Sequence, residues 1–272
     1  MAKQLNKDTI VCMSLAARPG NFGTRFHNYL YDALDLNYLY KAFTTTDLPA
    51  AIGGVRALGI RGCAISMPFK EQVIALVDEL DPSAKAIDSV NTIVNTDGYL
   101  KAYNTDYIAI ASLLKQHQVD NQLTFALRGS GGMAKAVAAA LKNAGFENGY
   151  IIARNEKTGR ALAELYGFEW RAELDNLQPG LLINATPTGM SGGAEAELMS
   201  FTPQQVDAAS VVFEVVAMPE ITPLVRYAQE KQKTTITGAA VFAIQAVEQF
   251  ALYTGIRPDD ELFRAAAEYS RQ

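Results

Sequence analysis

Short apolar runs alternate with longer amphipathic ones along almost the whole chain. Residues 9–14, 38–43 and 62–66 are apolar stretches of strand length, and helical spacing recurs between and after them at 24–34, 48–58 and 70–80. Two more strands, 91–95 and 99–103, flank Thr96-Asp97-Gly98, whose residue types suit a hairpin turn. A helix over 107–116 leads into a second block with strands at 123–127, 150–153, 181–185 and 211–216 and a helix over 133–141. After Gly238, residues 239–253 and 259–270 read as two closing helices. This alternation predicts α/β architecture built on parallel sheets. No Pro-, Ser- or Gly-rich linker interrupts the chain, so a two-lobed molecule is expected, with the lobes packed about a cleft.

One junction between strand and helix carries chemistry. Gly129-Ser130-Gly131-Gly132-Met133-Ala134 stands between an apolar strand and a helical run, the layout of a dinucleotide-binding βαβ unit. Gly129 permits the tight turn, and Gly131 lets a pyrophosphate approach the backbone. Gly132 and the small Ala134 keep the helix N-terminus close to sheet and ligand, with its N–H groups presented to phosphate. An ordinary glycine-rich βα turn has the same composition; the correct elements on both sides favour the binding reading. The next strand ends in Arg154-Asn155, with Lys157 close behind, where an NAD-selective site usually places an acidic residue for the ribose 2′-hydroxyl. Two cations suit a 2′-phosphate, and Arg can grip one with two parallel N–H bonds. The bland alternative is a pair of solvated charges after a strand. NADP is therefore the expected cofactor.

Composition narrows the function classes. The chain has 272 residues, 49% of them hydrophobic and 19% charged, which describes a soluble globular protein. A net charge of −5 without any basic stripe argues against nucleic-acid binding. Cys12 and Cys63 are too few for a disulfide framework or a cysteine zinc site and point to a reducing compartment. His27 and His117, the only histidines, belong to no ligand-spaced cluster, so no metal site is expected and Ser-His-Asp hydrolysis is poorly supported. They read as a helix residue and a cation near a helix C-terminus. The polar start, residues 1–8, does not have a signal peptide's layout, and no apolar run is long enough to span a bilayer. Cytoplasm is the expected location.

Three polar clusters fall where they can line a cleft. Ser66-Met67-Pro68-Phe69-Lys70 ends one strand and opens the helical run at 70–80, with Pro68 suited to a helix start. Lys70 then lies in a first helical turn, where the dipole disfavours a cation and favours a neutral amine. A solvated lysine is the competing reading. Asn104-Thr105-Asp106 precedes the helix at 107–116 and reads equally as a helix cap or as reacting groups. Asn91-Thr92 sits on a strand with polar borders, where an Asn is more often a structural hydrogen-bonding group than a ligand contact. Together these parts suit hydride transfer between a secondary alcohol and a nicotinamide, with Lys70 and Asp106 handling the hydroxyl proton. The carboxylate would favour a charged lysine, so two opposed effects set its working pKa.

Along nearly its whole length the chain resembles the shikimate dehydrogenase family. The resemblance rests on Ser66 to Lys70, Ser89-Val90-Asn91-Thr92, Asn104-Thr105-Asp106, Gly129 to Ala134 and Asn184-Ala185-Thr186-Pro187-Thr188-Gly189-Met190. Thr222-Pro223-Leu224 and Gly238 with Gln245-Ala246 complete it, in the family's order. It implies a substrate-binding domain of residues 1–106 and 238–272, to which the C-terminal helices return, and a Rossmann-type NADP-binding domain of residues 107–237. It also implies that Lys70 and Asp106 are the catalytic pair and that Ser66, Asn91 and Gln245 bind a cyclic polyhydroxy acid. Gly238 would border the nicotinamide, and Thr186, Thr188 and Met190 would lie in a loop beside the cofactor. A small carboxylate substrate and a monomer or homodimer are expected.

The departures from the family pattern concern the substrate. Family members usually grip the carboxylate with a Ser-x-Ser pair before a helix, and Asn21-Phe22-Gly23 stands there instead. Asn21, Ser14, Arg18 and Thr24 are the candidate replacements. Ala64 replaces a usual Asn, and Ala217 a usual Tyr. The expected activity is NADP-dependent oxidation of shikimate, weakened by the lost hydroxyls, or of quinate or an amino analogue. A methylene-tetrahydrofolate dehydrogenase ranks lower, because Ser66 stands where that family relies on a Tyr. A reading from another class is a catalytically idle NADP-binding sensor.

Overall fold

The computed structural model describes residues 5–271, so residues 1–4 of the polar opening segment lie outside the described residues. The chain divides into two compact units, one of residues up to Thr105 together with those from Gln245 onward, the other of Asp106–Ile244. Each is built on a six-stranded sheet.

The first unit runs β1 (Ile10–Leu15), α1 (Phe22–Ala33), β2 (Tyr38–Phe43), α2 (Leu48–Ala57), β3 (Gly62–Ile65), β4 (Glu79–Leu80), α3 (Pro82–Lys85), β5 (Thr92–Thr96) and β6 (Tyr99–Tyr103). The sheet order is β2-β1-β3-β5-β6-β4, with β1 parallel to β2 and β3 and β5 antiparallel to its neighbours. Successive β1 residues serve opposite faces. Cys12 packs with Phe26, Leu30, Tyr31, Phe250 and Tyr253, whereas Met13 and Leu15 pack with Ile52, Val55, Cys63 and Ile93. Because both faces are covered, the strands read as nearly continuous apolar runs. Each large side chain fully buried this way contributes about 1.5–3 kcal/mol. Between β5 and β6 the turn is the one its residues suggest. Asp97 and Gly98 have φ of 52° and 87°, and Thr96 pairs with Tyr99, which makes a two-residue hairpin loop.

The helix expected over 70–80 does not form. Residues 67–71 are turns, Gln72–Leu76 is a short 3₁₀ helix, and Glu79–Leu80 is the edge strand β4. The N–H of Asp78 donates to the Leu100 carbonyl at 2.9 Å, and its carboxylate accepts from the Leu100 N–H at 2.7 Å and from Arg56 at 2.6 Å. Pairing with β6 therefore outweighs helical spacing, and Lys70 has no α-helix dipole to act on its amine.

The second unit contains α4 (Thr105–Gln116), β7 (Phe125–Arg128), α5 (Gly132–Asn143), β8 (Gly149–Ile152), α6 (Glu156–Tyr166), β9 (Glu169–Arg171), β10 (Leu181–Asn184), α7 (Pro203–Ala208), β11 (Val211–Glu214), α8 (Pro223–Glu230) and β12 (Thr234–Ile236). All its strands are parallel, in the order β12-β11-β10-β7-β8-β9. This is the doubly wound Rossmann order, whose direction reverses between β7 and β10, where such folds bind ligands. Ala126, Ile152, Leu182, Val212 and Leu224 form part of its core. α9 (Gly238–Thr254) begins in this unit and ends in the first, to which α10 (Asp260–Arg271) belongs. No helix among the described residues is long and apolar enough to cross a membrane.

Candidate functional site

A cleft of about 560 Å³ opens at the carboxyl ends of β7, β8 and β10. Gly129, Ser130 and Gly131 form one wall, Arg154 and Asn155 the next, and Thr186 and Thr188 face them. Gly129 has φ +124°, and a Cβ built on it would lie 2.9 Å from the Ala185 carbonyl oxygen, so only glycine fits this turn. Gly131 lines the cleft and caps the twelve-residue helix α5 without any side-chain hydrogen bond, so no side chain caps the first N–H groups of that helix. Those donors, the open backbone and the volume fit a dinucleotide's phosphates.

The cleft gathers seven of the residues singled out for the cofactor. Asn155 caps α6 by accepting from the Thr158 N–H at 3.2 Å, and Ser130 Oγ meets Thr158 Oγ1 at 2.8 Å. Gly132 and Met133 begin α5 and Ala134 is fully buried beneath it; these three do not line the cleft. Lys157 is exposed on α6 and Met190 is 42% exposed after the Thr188 turn, also outside the lining. Gly238 opens α9, and a Cβ there would lie 2.3 Å from the Val216 backbone, so that approach tolerates no side chain.

Four polar residues of the cleft escape the sequence reading: Arg128, Glu173, Glu195 and Ser200. Arg128 reaches Glu173 at 3.2 Å and lies over the Phe201 ring. Glu195 accepts from Thr188 Oγ1 at 2.6 Å and stands 3.8 Å from Arg154, which is 84% exposed. Such an open pair is weak, so the guanidinium can turn to an anion. Glu173, Glu195 and Ser200 lie outside the helices and strands, and nothing in the chain order pairs them with Arg128 or Arg154.

Glu214 is a fifth missed residue. It is fully buried at the end of β11 and accepts from Asn184 Nδ2 at 2.8 Å, the Val216 N–H at 2.9 Å and Thr222 Oγ1 at 3.1 Å. It thereby ties together the Asn184 to Met190 segment and the start of α8. Burial pushes its carboxyl up from 4.5 to about 7, against those hydrogen bonds. A raised carboxyl makes the folded state retain a proton that the unfolded chain releases. Its contribution is thus complete below about pH 4.5 and is lost as pH rises to about 7. Glu214→Gln can keep all three bonds with its N–H₂ turned to Thr222. Its stability relative to the parent should grow across that window, by up to about 3 kcal/mol. Melting curves at several pH values check this, and a constant difference would place the Glu214 proton elsewhere.

Ser66, Asn91 and Asn104 adjoin the ends of β3, β5 and β6 in the first unit, to which Lys70, Asn21 and Gln245 also belong; Asp106 belongs to the second. Ser66 is exposed directly after β3, and the Lys70 carbonyl accepts from the Val90 N–H at 2.9 Å. Asn91 returns the connection, its carbonyl accepting from the Ile65 N–H at 2.8 Å. The turn bearing Lys70 and the end of β3 before it are thus both bound to the Val90-Asn91 segment that leads into β5. Asn91 is 3% exposed, and its Oδ1 accepts from the Thr105 N–H at 2.9 Å. Asn104 Nδ2 donates to the Ser89 carbonyl at 3.0 Å. Asp106 follows, 5% exposed, in the first turn of α4. Asn21 is exposed at the start of α1 and makes no capping bond. Gln245 is half-buried on α9, one turn before Gln249. Among the described residues no group of His, Cys, Asp or Glu is arranged to hold a metal ion.

Comparison with known proteins bears on the family of the whole chain. Residues 22–93 match the model of the shikimate dehydrogenase substrate binding domain. A shikimate dehydrogenase-like protein of Haemophilus influenzae is 58% identical over 267 residues, covering 98% of both chains. A shikimate dehydrogenase (NADP(+)) of Pyrococcus furiosus is 35% identical over 252 residues, covering 89% of this chain and 88% of its own. A solved shikimate 5-dehydrogenase-like protein superposes with a TM-score of 0.97 at 58% identity, covering 99% of this chain and 100% of its own. With these relatives spanning both units, and the glycine turn and the Lys70, Asn91 and Asp106 segments all present, the chain belongs to the shikimate dehydrogenase family.

Proposed function

We propose that this protein is an NADP-dependent oxidoreductase that interconverts a cyclic polyhydroxy carboxylic acid and its keto form. The observation that carries the reading is the cleft at the β7–β10 switch point, where a side-chain-free helix N-terminus and Arg154 stand together. When bound, the nicotinamide supplies the hydride acceptor. The N–H groups of α5 meet the pyrophosphate, and Arg154 meets the 2′-phosphate, leaving Glu195 as it does so. Lys70 removes the hydroxyl proton as the alcohol is oxidised and returns it in the reverse direction, while Asp106 orients the hydroxyl. Asn91, Gln245 and Ser66 bind the ring hydroxyls, and Asn21 lies near the carboxylate. Substitution at Asn21 to Gly23 favours a substrate related to shikimate, such as quinate or an amino analogue, alongside weak turnover of shikimate.

The test is a cofactor-reduction screen over shikimate, quinate and their amino derivatives, with NADP and NAD side by side. Reduction of NADP with at least one of these acids, and stronger heat protection by NADP than by NAD, is the expected result. Equal protection by the two dinucleotides would remove the role given to Arg154. Binding of NADP without reduction by any of the acids would instead support the sensor reading, which the missing Ser-x-Ser pair favours.

A further inference from the structure

A continuous line of hydrogen bonds runs from the buried face of α1 to Asn91. His27 Nε2 stands 3.2 Å from Gln249 Oε1, Gln249 Nε2 is 2.9 Å from Thr92 Oγ1, and Thr92 Oγ1 is 2.9 Å from Asn91 Oδ1. His27 is 2% exposed and Thr92 fully buried, so bulk water does not compete for these groups.

The direction of every link follows from one backbone group. The Thr105 N–H can only donate, so the Asn91 atom 2.9 Å away is the carbonyl oxygen. That oxygen only accepts, so Thr92 spends its single hydroxyl proton on it. Thr92 must then accept from Gln249, which presents its N–H₂ to Thr92 and its carbonyl oxygen to His27. His27 must therefore carry its hydrogen on Nε2, and its Nδ1 is a bare lone pair, in keeping with that atom's lack of a partner. Burial pushes the ring down to about 4, and it lies flat on Tyr40, with centroids 4.3 Å apart and planes at 11°.

We propose that His27, Gln249 and Thr92 are positioning residues that act with the Thr105 N–H to lock the Asn91 amide with its oxygen inward, so that Asn91 meets the substrate only as an N–H donor. One Nδ2 hydrogen goes to Thr105 Oγ1 at 3.0 Å, and the second serves the ligand. The substrate oxygen seated there must accept, and a ring hydroxyl in that place sends its own proton to another group. This rests on Asn91 lying in the substrate site, as the proposed function has it.

Two measurements test the proposal. In a long-range ¹⁵N–¹H correlation spectrum of histidine-labelled protein, His27 is expected as the Nε2–H tautomer. The Nδ1–H form would reverse the chain and overturn the proposal whatever the protein's activity. Kinetics with NADP and the best acid of the screen form the second arm. Thr92→Val keeps the shape and loses the hydroxyl, so the acid's KM should rise about tenfold with kcat nearly unchanged, and Thr92→Ser should restore it. Gln249→Leu should act in the same direction. Asn91→Ala separates the two ideas. If it leaves KM unmoved, Asn91 is not in the substrate site and the functional reading fails there. If it raises KM while Thr92→Val does not, the positioning chain is wrong and the substrate site stands.

Discussion

Replacing Lys70 by Ala is expected to lower acid-dependent NADP reduction by about 10²–10⁴-fold, the usual range for a lost general acid–base group, while heat protection by NADP persists. The separation follows from where the groups lie. The cleft proposed for the dinucleotide is built from residues of the second unit, whereas Lys70 belongs to the first, on a turn tied through its carbonyl to Val90. The bond from the Val90 N–H to the carbonyl of residue 70 is kept in Lys70→Ala, so the fold should survive the change. Asp106→Asn should also lower kcat, since an amide can orient a hydroxyl but lacks the charge that stabilises a protonated partner. Full turnover by Lys70→Ala would show that another group moves the proton. Loss of NADP protection along with turnover would instead indicate a disturbed structure.

Restoring the family's missing hydroxyls should have the second-largest effect, in the opposite direction. The pair Asn21→Ser with Gly23→Ser is expected to lower KM for shikimate at least tenfold. A hydrogen bond to a charged group is worth about 1.5–3 kcal/mol, and two are absent here. The structure has room for the change. A Cβ at Gly23 would sit 3.5 Å from the ring and hydroxyl of Tyr40, an ordinary contact, and a helical glycine gains from acquiring a side chain. An unchanged KM in a correctly folded double variant would mean that the carboxylate is gripped elsewhere, with Ser14, Arg18 and Thr24 the next residues to substitute.

Much of this molecule can be read along one strand or turn at a time. The strands Tyr38–Phe43 and Tyr99–Tyr103 and the Asp97-Gly98 turn follow from residue type alone, because a buried strand and a left-handed loop each admit few residues. The glycine turn after β7 is legible for the same reason. The edge strands β9 and β12, by contrast, are three residues each, too short for any period to show, and exist because the neighbouring strand offers them hydrogen bonds.

The polar partnerships behave like the edge strands. Glu214 with Asn184, Arg128 with Glu173 and Gln249 with His27 and Thr92 join residues between 30 and 222 positions apart. An isolated Gln or Glu in an amphipathic helix or apolar strand does not declare such a partner. By itself, then, the sequence determined the α/β alternation, the glycine turn after β7 and the family, since each depends on residues close together or in fixed order. Only the tertiary structure decided that residues 70–80 abandon their helix for the edge of β6, that Glu214 is sealed from water, and which way the Asn91 amide faces. Those outcomes depend on competition among distant groups for the same hydrogen bonds, and that competition exists only once the chain has folded.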